Sequence, residues 1–161
     1  MTVTTTLADI RAAEPCPEGF AKIRDHFGVS APDAKNHREP FPVALLLDTN
    51  DLDDTLWVLD NVIGSKRLCR LFAADCAERV LHIFERARPG DNCPRNAIAG
   101  ARDLSSTEED LAAARAAAGA AAGAAAWEAA REAQSSRLRQ YLEHGEEAAA
   151  DMPWDDKEAA E

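Results

Sequence analysis

Residues 65–87 decide the fold, and they read SKRLCRLFAADCAERVLHIFERA. Apolar side chains recur in this stretch every three or four residues, which is the spacing of one face of an α-helix. The apolar face is predicted to comprise Cys69, Phe72, Ala73, Cys76, Val80, Ile83, Phe84 and Ala87. The opposite face is predicted to expose Asp75, Glu78, Arg79, His82 and Arg86. A helix of this kind must bury its apolar face against other elements, and the flanking sequence predicts further helices.

The segments before this stretch predict shorter helices. Pro15 ends a first helix and Pro17 starts a second, because proline is tolerated in a first helical turn and not in a helix interior. Residues 30–42 contain three prolines and read as a loop. The apolar run at 44–47 is a buried helical turn or an extended link, and both interpretations stay open. Residues 52–63 return to helical spacing before a glycine stops them.

The segments after it predict one short helix and one long helix. Pro94 suits the first turn of the short helix, and Ser106 with Glu109 forms a capping box for the long one. Alanine has the highest helix propensity and occupies almost every position from 112 to 126. Gly119 and Gly123 interrupt this run on one helical face. They reflect either drift in an alanine-rich sequence or a close helix contact, which would include a homo-oligomer.

We therefore predict an all-α fold, a single-domain bundle of about six helices with one long alanine-rich helix. The domain is expected to span 1–145, with N-terminal helices and a loop over 1–64 and the longer helices over 65–145. An acidic tail over 146–161 is expected to be flexible, since chain ends fray unless they are tied down. Two alternatives stay open for residues 152–154: they dock back on the body or act as a linear binding motif.

The acidic excess is concentrated in two places. The chain has 29 acidic and 18 basic residues, which gives a formal net charge of −11. Residues 48–60 hold five acidic side chains and no basic one, and residues 146–161 hold seven acidic side chains and one lysine. A generic nucleic-acid binder needs excess lysine and arginine, so that class is excluded, as is binding to an anionic membrane. Each patch is either a solvated face or a surface that steers a basic partner.

The sequence contains no recognisable catalytic or metal-binding motif. The four cysteines form no CxxC pair, and Cys69 and Cys76 are spaced two helical turns apart as packing residues would be. Residues 48–59 fail as a calcium loop, because leucine stands at the fifth and twelfth positions. His82 is the best catalytic candidate and is expected to be a solvated surface group. We predict no metal, no cofactor and no enzymatic activity. The absence of a leader or an apolar span predicts a cytoplasmic protein.

One part of the sequence resembles a known family. The run LFAADCAERVL at 71–81, Phe84-Glu85, PRNAI at 94–98 and Ala101-Arg102 resemble the helical domain of immunity proteins from bacterial polymorphic-toxin systems. The resemblance covers about residues 66–141. It implies a non-catalytic protein that binds and neutralises another protein. Asp75, Cys76 and Arg79 match the motif of that family.

The leading hypothesis is a cytoplasmic inhibitor that binds a partner with a basic surface through its acidic patches. Its candidate partner-binding residues are Asp48, Asp51, Asp53, Asp54, Trp57, Asp60, Trp154, Asp155 and Asp156. The two tryptophans are candidate anchors, although packing beside Leu56 is an alternative role for Trp57. The main alternative is a phage-encoded inhibitor of a host nuclease or CRISPR complex, an anti-CRISPR protein whose carboxylates mimic nucleic-acid phosphates. An enzyme with Asp75, Arg79 and His82 in a cleft is a weaker hypothesis.

Overall fold

The computed structural model describes residues 2–103 and 127–154. The predicted capping box at Ser106 and the glycine face at Gly119 and Gly123 lie outside these residues. The same holds for Asp155 and Asp156.

Helices dominate the described chain, and the predicted all-α fold is confirmed. In chain order they are α1 (Leu7–Ala12), α2 (Pro17–His26), α3 (Leu46–Thr49), α4 (Leu52–Val58), α5 (Lys66–Ala87), α6 (Cys93–Arg102), α7 (Trp127–His144) and α8 (Glu146–Ala150). Single turns of 3₁₀ helix occur at Ala34–Asn36 and Val43–Leu45, and a π turn at Leu59–Ile63 extends α4. The helical interpretation of the run at 44–47 is therefore the correct one.

A minimal β-ladder joins the chain's start to the loop before α3. Strand β1 (Thr4–Thr5) pairs antiparallel with β2 (Phe41–Pro42), so that Thr5 lies opposite Phe41. The loop interpretation of residues 30–42 missed this pairing and the short 3₁₀ turn within it. Two-residue strands are too short to show the alternating pattern by which a strand is recognised in a sequence.

The chain divides into two compact units. Unit 1 combines Met1–Lys66 with Ser135–Glu161, and unit 2 is Arg67–Gln134. The expected single domain over 1–145 stays a prediction.

Local chemistry starts and stops the helices of unit 1. The Thr6 hydroxyl accepts a hydrogen bond from the Asp9 amide at 3.1 Å and caps α1. Pro17 occupies the first turn of α2, as predicted. The π turn after α4 ends at Gly64, whose φ of 71° is left-handed and suits glycine. The core of unit 1 contains Leu7, Ile10, Phe20, Ile23, Val43, Leu46, Leu52, Val58, Leu59, Leu138, Tyr141 and Leu142.

The first part of the acidic tail packs against α7. Arg137 is 3% exposed, although its side chain is charged. It donates hydrogen bonds to the Gln140 side chain at 2.8 Å and to the Met152 carbonyl at 2.9 Å. Its Cζ atom lies 5.2 Å from the Tyr141 ring centroid and 5.6 Å from that of Trp154. Docking is therefore the alternative that the structure shows for residues 152–154.

Unit 2 has its described core between α5 and α6. Ala74 and Leu81 of α5 pack with Ile98 and Ala101 of α6. The predicted apolar face of α5 was right at Phe72, which is buried, and wrong at other positions. Ile83 is 49% exposed, whereas Asp75, which was placed on the solvent face, is 5% exposed. The physical reason is an arginine on the neighbouring helix, which makes an inward carboxylate tolerable.

Candidate partner-binding surfaces

Three carboxylates cluster at the first turn of α4. Asp51 is the N-cap residue, and its Oδ1 accepts a hydrogen bond from the Asp54 amide at 2.9 Å. Asp53 and Asp54 follow in that turn, where negative side chains complement the positive end of the helix dipole. The acidic run thus has a local structural reason, because it starts α4. It also leaves the side chain of Asp53 exposed to solvent.

Asn50 fixes the position of the Asp54 carboxylate. Its Nδ2 donates to the Gly19 carbonyl at 2.7 Å and to Asp54 Oδ2 at 2.8 Å, which ties α4 to the first turn of α2. A Cβ atom built on Gly19 would lie 2.7 Å from Asp54 Oδ2 and 2.8 Å from Oδ1. Glycine is therefore required for the close approach of this carboxylate to α2.

A cavity of about 220 Å³ opens beside this carboxylate. Its floor is apolar, because the buried side chains of Ile10, Phe20, Ile23, Leu46 and Val58 line it. The other lining residues except Gly19 are less buried, and we call them the mouth: Pro15, Cys16, Asn50, Asp53, Asp54 and Trp57. Within the part of the chain that the structure describes, no lysine or arginine lines it. The site therefore combines an apolar interior with a negatively charged opening.

Trp57 lies at the mouth of this cavity. It is half-buried, and it follows Asp53 by four residues and Asp54 by three, so α4 carries all three side chains on one face. The sequence left open whether Trp57 packs in the core or anchors a partner. Its half-buried position beside the cavity is compatible with either role. Its anchor role stays a prediction.

The other acidic candidates in this segment have different surroundings. Asp48 forms an ion pair with Arg139 of α7, with 2.6 Å between Oδ1 and Nη2. Arg139 also approaches Glu143 at 3.8 Å. The pairing of Asp48 with Arg139 reduces the net negative charge at the Asp48 end of the predicted patch. Asp60 is exposed on the π turn and does not line the cavity.

Trp154, the second candidate anchor, lies against Arg137 and is half-buried there. This stacking gives the side chain a structural role within unit 1. A role in partner binding stays a prediction.

A second charged cluster links α5 to α6 in unit 2. The Nη2 atom of Arg102 lies 2.8 Å from Asp75 Oδ1 and also donates to Glu78. The hydrogen bond from Arg102 holds the pKa of Glu78 below its ordinary value. The hydrogen bond to Glu78, followed by the one to Asp75, raises the pKa of Arg102. Arg95 of α6 makes a further ion pair with Glu85 of α5. The cluster joins two helices.

The three residues that match the family motif differ in how far they are exposed to solvent. Asp75 is buried at this joint, Cys76 is half-buried, and Arg79 is exposed. His82 is exposed, and its Nδ1 lies 3.0 Å from the Arg79 carbonyl, in accord with a surface histidine. Sequence reasoning missed the roles of Arg102, Asn50 and Gly19. The nearest signal in the sequence is the Ala101-Arg102 pair, which belongs to the family resemblance but does not reveal that Arg102 pairs with Asp75.

The described residues contain neither a metal-binding cluster nor a membrane span. Within 2–103 and 127–154, no group of three or more histidine, cysteine or acidic side chains is arranged to hold a metal ion. In the same residues, no helix combines the length and the apolar character that crossing a membrane requires.

The described residues define an all-α protein with charged helical surfaces. A scan against protein-family models matches residues 62–144, just over half of the chain, to the family described as "Imm-5 like putative immunity protein". The chain belongs to this family, and the resemblance seen in the sequence is confirmed. Immunity proteins are inhibitors that bind a protein partner, and families of this kind are typically non-catalytic. Neither a search of curated proteins nor one of solved structures found a match.

Proposed function

We propose that this protein is a non-enzymatic inhibitor that binds a partner protein in the cytoplasm through the acidic surface around α4. The observation that carries the proposal is the cavity, which Asp53, Asp54 and Trp57 line together with buried apolar side chains. Interface hot spots are enriched in tryptophan and lie in well-packed pockets, and surrounding charges steer the encounter with a basic partner. None of the cysteines at 16, 69, 76 and 93, all of which lie in the described residues, forms a disulfide, which suits a reducing compartment.

The acidic surface lies before the part of the chain that matches the family. The match begins at residue 62, whereas α4 spans Leu52–Val58. Family membership supports an inhibitor that binds a protein, and the α4 surface would distinguish the target of this chain. A nucleic-acid mimic would need its carboxylates to be arrayed for a phosphate-binding cleft. Asp48 is paired with Arg139 and Asp51 caps a helix, so these two carboxylates favour a structural role instead.

A growth experiment tests the proposal. The product of the gene beside this one is expressed alone and then together with this protein, and growth is recorded. We expect the neighbouring product to be toxic alone and this protein to restore growth. Asp53→Lys should weaken the rescue, because it reverses one charge at the cavity mouth. Glu39→Lys makes the same charge change in the exposed loop before β2 and should leave rescue intact.

Binding of the purified pair is then measured by titration calorimetry. A complex that forms with wild-type protein and weakens with Asp53→Lys supports the proposal. Growth that co-expression leaves unchanged, together with no heat of binding, would contradict it. Equal loss of rescue in Asp53→Lys and Glu39→Lys would show that the α4 surface has no special part in binding.

A further inference from the structure

We propose that the cavity between α2 and α4 takes one arginine side chain of the partner protein. The proposal rests on the proposed function, since a partner must supply the side chain. It specifies the chemistry of the group that enters the cavity, which neither the fold nor the family defines.

The volume of the cavity suits a single side chain better than a drug-sized ligand. Sites for small-molecule ligands usually measure about 300–1,000 Å³. The cavity here measures about 220 Å³ and opens to solvent at its mouth. An apolar cavity of about 150 Å³ is already large enough for a benzene ring. One long side chain therefore matches the available space.

The distribution of charge favours a cation with an aliphatic stem. The floor is formed by apolar side chains such as Ile10, Ile23 and Leu46, which are each at most 2% exposed. Asp53 and Asp54 belong to the mouth, and none of the described lining residues is basic. Burying an isolated charge at the floor would be costly, whereas a charge held at the mouth stays near water. Long basic side chains bury their stems in this way and keep their charged ends at the surface.

Trp57 favours arginine over lysine for this role. A guanidinium stacks on an aromatic face and binds carboxylates with two parallel hydrogen bonds, whereas an ammonium is a more strongly hydrated point charge. Asn50 and Gly19 hold the Asp54 carboxylate in place before any partner arrives. A preorganised acceptor loses less conformational entropy on binding. The site thus offers a carboxylate pair and an indole to one planar cation.

The test uses the full-length protein and N-acetyl-arginine amide as the probe, without the partner. Binding is followed by the NMR signals of the Trp57 indole N–H and the Gly19 and Phe20 amides. We expect shifts that saturate in roughly the millimolar range, which is usual for a fragment of this size. N-acetyl-citrulline amide has nearly the same shape without the charge and should bind at least about fivefold more weakly. The corresponding lysine amide should also bind more weakly than the arginine amide.

Variants then locate the bound probe. Asp53→Asn and Trp57→Leu should each weaken arginine-amide binding, whereas Glu39→Gln should leave it unchanged. Urea unfolding of each variant shows that the fold is kept. Shifts that never saturate, equal binding of the citrulline amide, or equal effects of Asp53→Asn and Glu39→Gln would each overturn the proposal.

The probe experiment and the growth experiment fail separately. Rescue of growth without arginine-amide binding would overturn the arginine assignment and leave the inhibitor function standing. Arginine-amide binding without rescue would support the chemistry of the cavity and count against the inhibitor function.

Discussion

At Gly19, helix propensity and packing against α4 favour different residues. Alanine usually stabilises a helix relative to glycine by up to about 1 kcal/mol. Here a Cβ atom would lie 2.7 Å from Asp54 Oδ2, closer than such atoms approach in practice. The carboxylate would have to move and lose its hydrogen bond to Asn50. Local propensity therefore favours alanine, and the contact with α4 opposes it.

This opposition gives a prediction that a double-mutant cycle checks. Gly19→Ala alone should leave the free energy of unfolding unchanged or lower it by about 1 kcal/mol, because the lost hydrogen bond offsets helix propensity. In an Asp54→Ala background, Gly19→Ala should instead raise that free energy, since the obstructing carboxylate is gone. Urea unfolding of the four proteins measures the coupling. Identical effects of Gly19→Ala in both backgrounds would contradict the prediction.

Cys93 provides a second test at the scale of a residue. Hydrogen bonding to the Asp91 carboxylate, followed by repulsion from its charge, raises the pKa of this exposed thiol. The thiolate is the reactive form, so Cys93 should react slowly with iodoacetamide at pH 8. Asp91→Asn should speed its alkylation by increasing the thiolate fraction. Peptide mapping by mass spectrometry follows each site. Cys16, which is also exposed, is the internal control whose rate should not change.

At the scale of elements, the joint between α5 and α6 depends on Arg102. Arg102→Met should lower the free energy of unfolding by about 2 kcal/mol, because it removes the guanidinium from the buried Asp75 carboxylate. This loss of stability is smaller than for a fully buried ion pair, since the Arg102 side chain is 39% exposed. Asp75→Leu combined with Arg102→Met should cost less than Arg102→Met alone. Urea unfolding at pH 7 measures both, and equal costs would contradict this account.

The same joint predicts a dependence on pH. Arg102 holds the pKa of Glu78 below its ordinary value. The contribution of this pair to the free energy of unfolding is therefore fully present at pH values above the pKa of Glu78 in the unfolded chain. It is lost as the pH falls through the lower, folded-state pKa. The difference in unfolding free energy between wild type and Arg102→Met should therefore shrink below about pH 4.3. A series of urea unfolding curves from pH 7 to pH 3 checks this. A difference that grows on acidification would oppose the assignment.

The packing of the tail on α7 gives the second prediction for an element. Trp154→Ala should lower the free energy of unfolding by about 1 kcal/mol, because it removes the stacking on Arg137. Hydrogen exchange in residues 146–150 should become faster. Glu147→Ala, an exposed change on α8, is the control and should leave exchange nearly unchanged. Unchanged exchange in Trp154→Ala would show that the indole does not hold the tail.

Helix boundaries could be predicted from the sequence, and helix faces only in part. Pro17 and Gly64 act through their own backbone chemistry, so their effects are visible locally. The inward position of Asp75 depends on Arg102, which lies 27 residues further along the chain. A carboxylate normally indicates a solvent-exposed face, and only its distant partner reverses that expectation. The register of α5 could therefore not be read from its own residues.

In the candidate site too, local features could be predicted from the sequence, and features that depend on distant residues could not. Asp53, Asp54 and Trp57 are close on one helix, and their common face could be predicted from spacing alone. The cavity could not, because it needs α2, which is tied to α4 through Asn50: its side chain donates to Gly19, 31 residues earlier, and to Asp54. The role of Gly19 was hidden for the same reason. A glycine gives no sign in the sequence that it is needed for packing. At Gly19 that need becomes visible only when the nearby Asp54 carboxylate is located.

At the scale of the whole molecule, charge should govern how fast a partner arrives. The formal charge of −11 and the exposed carboxylates of α4 predict an association rate that falls by roughly tenfold or more between low and high salt. The dissociation rate should change much less. Stopped-flow mixing with the purified partner at several salt concentrations measures both rates. Asp53→Lys should slow association more than Glu39→Lys. An association rate independent of salt would argue against electrostatic steering.

Unit 1 is assembled from two separate stretches of the chain, and this affects when it can fold during synthesis. Its first portion ends at Lys66 and its second begins at Ser135. The nascent chain must therefore wait roughly 3–14 s, at 5–20 residues per second, before the ribosome supplies the second portion. Until then Leu138, Tyr141 and Leu142, which are at most 1% exposed in the finished unit, are missing from its core. Translation thus leaves the first four helices incomplete and open to chaperones.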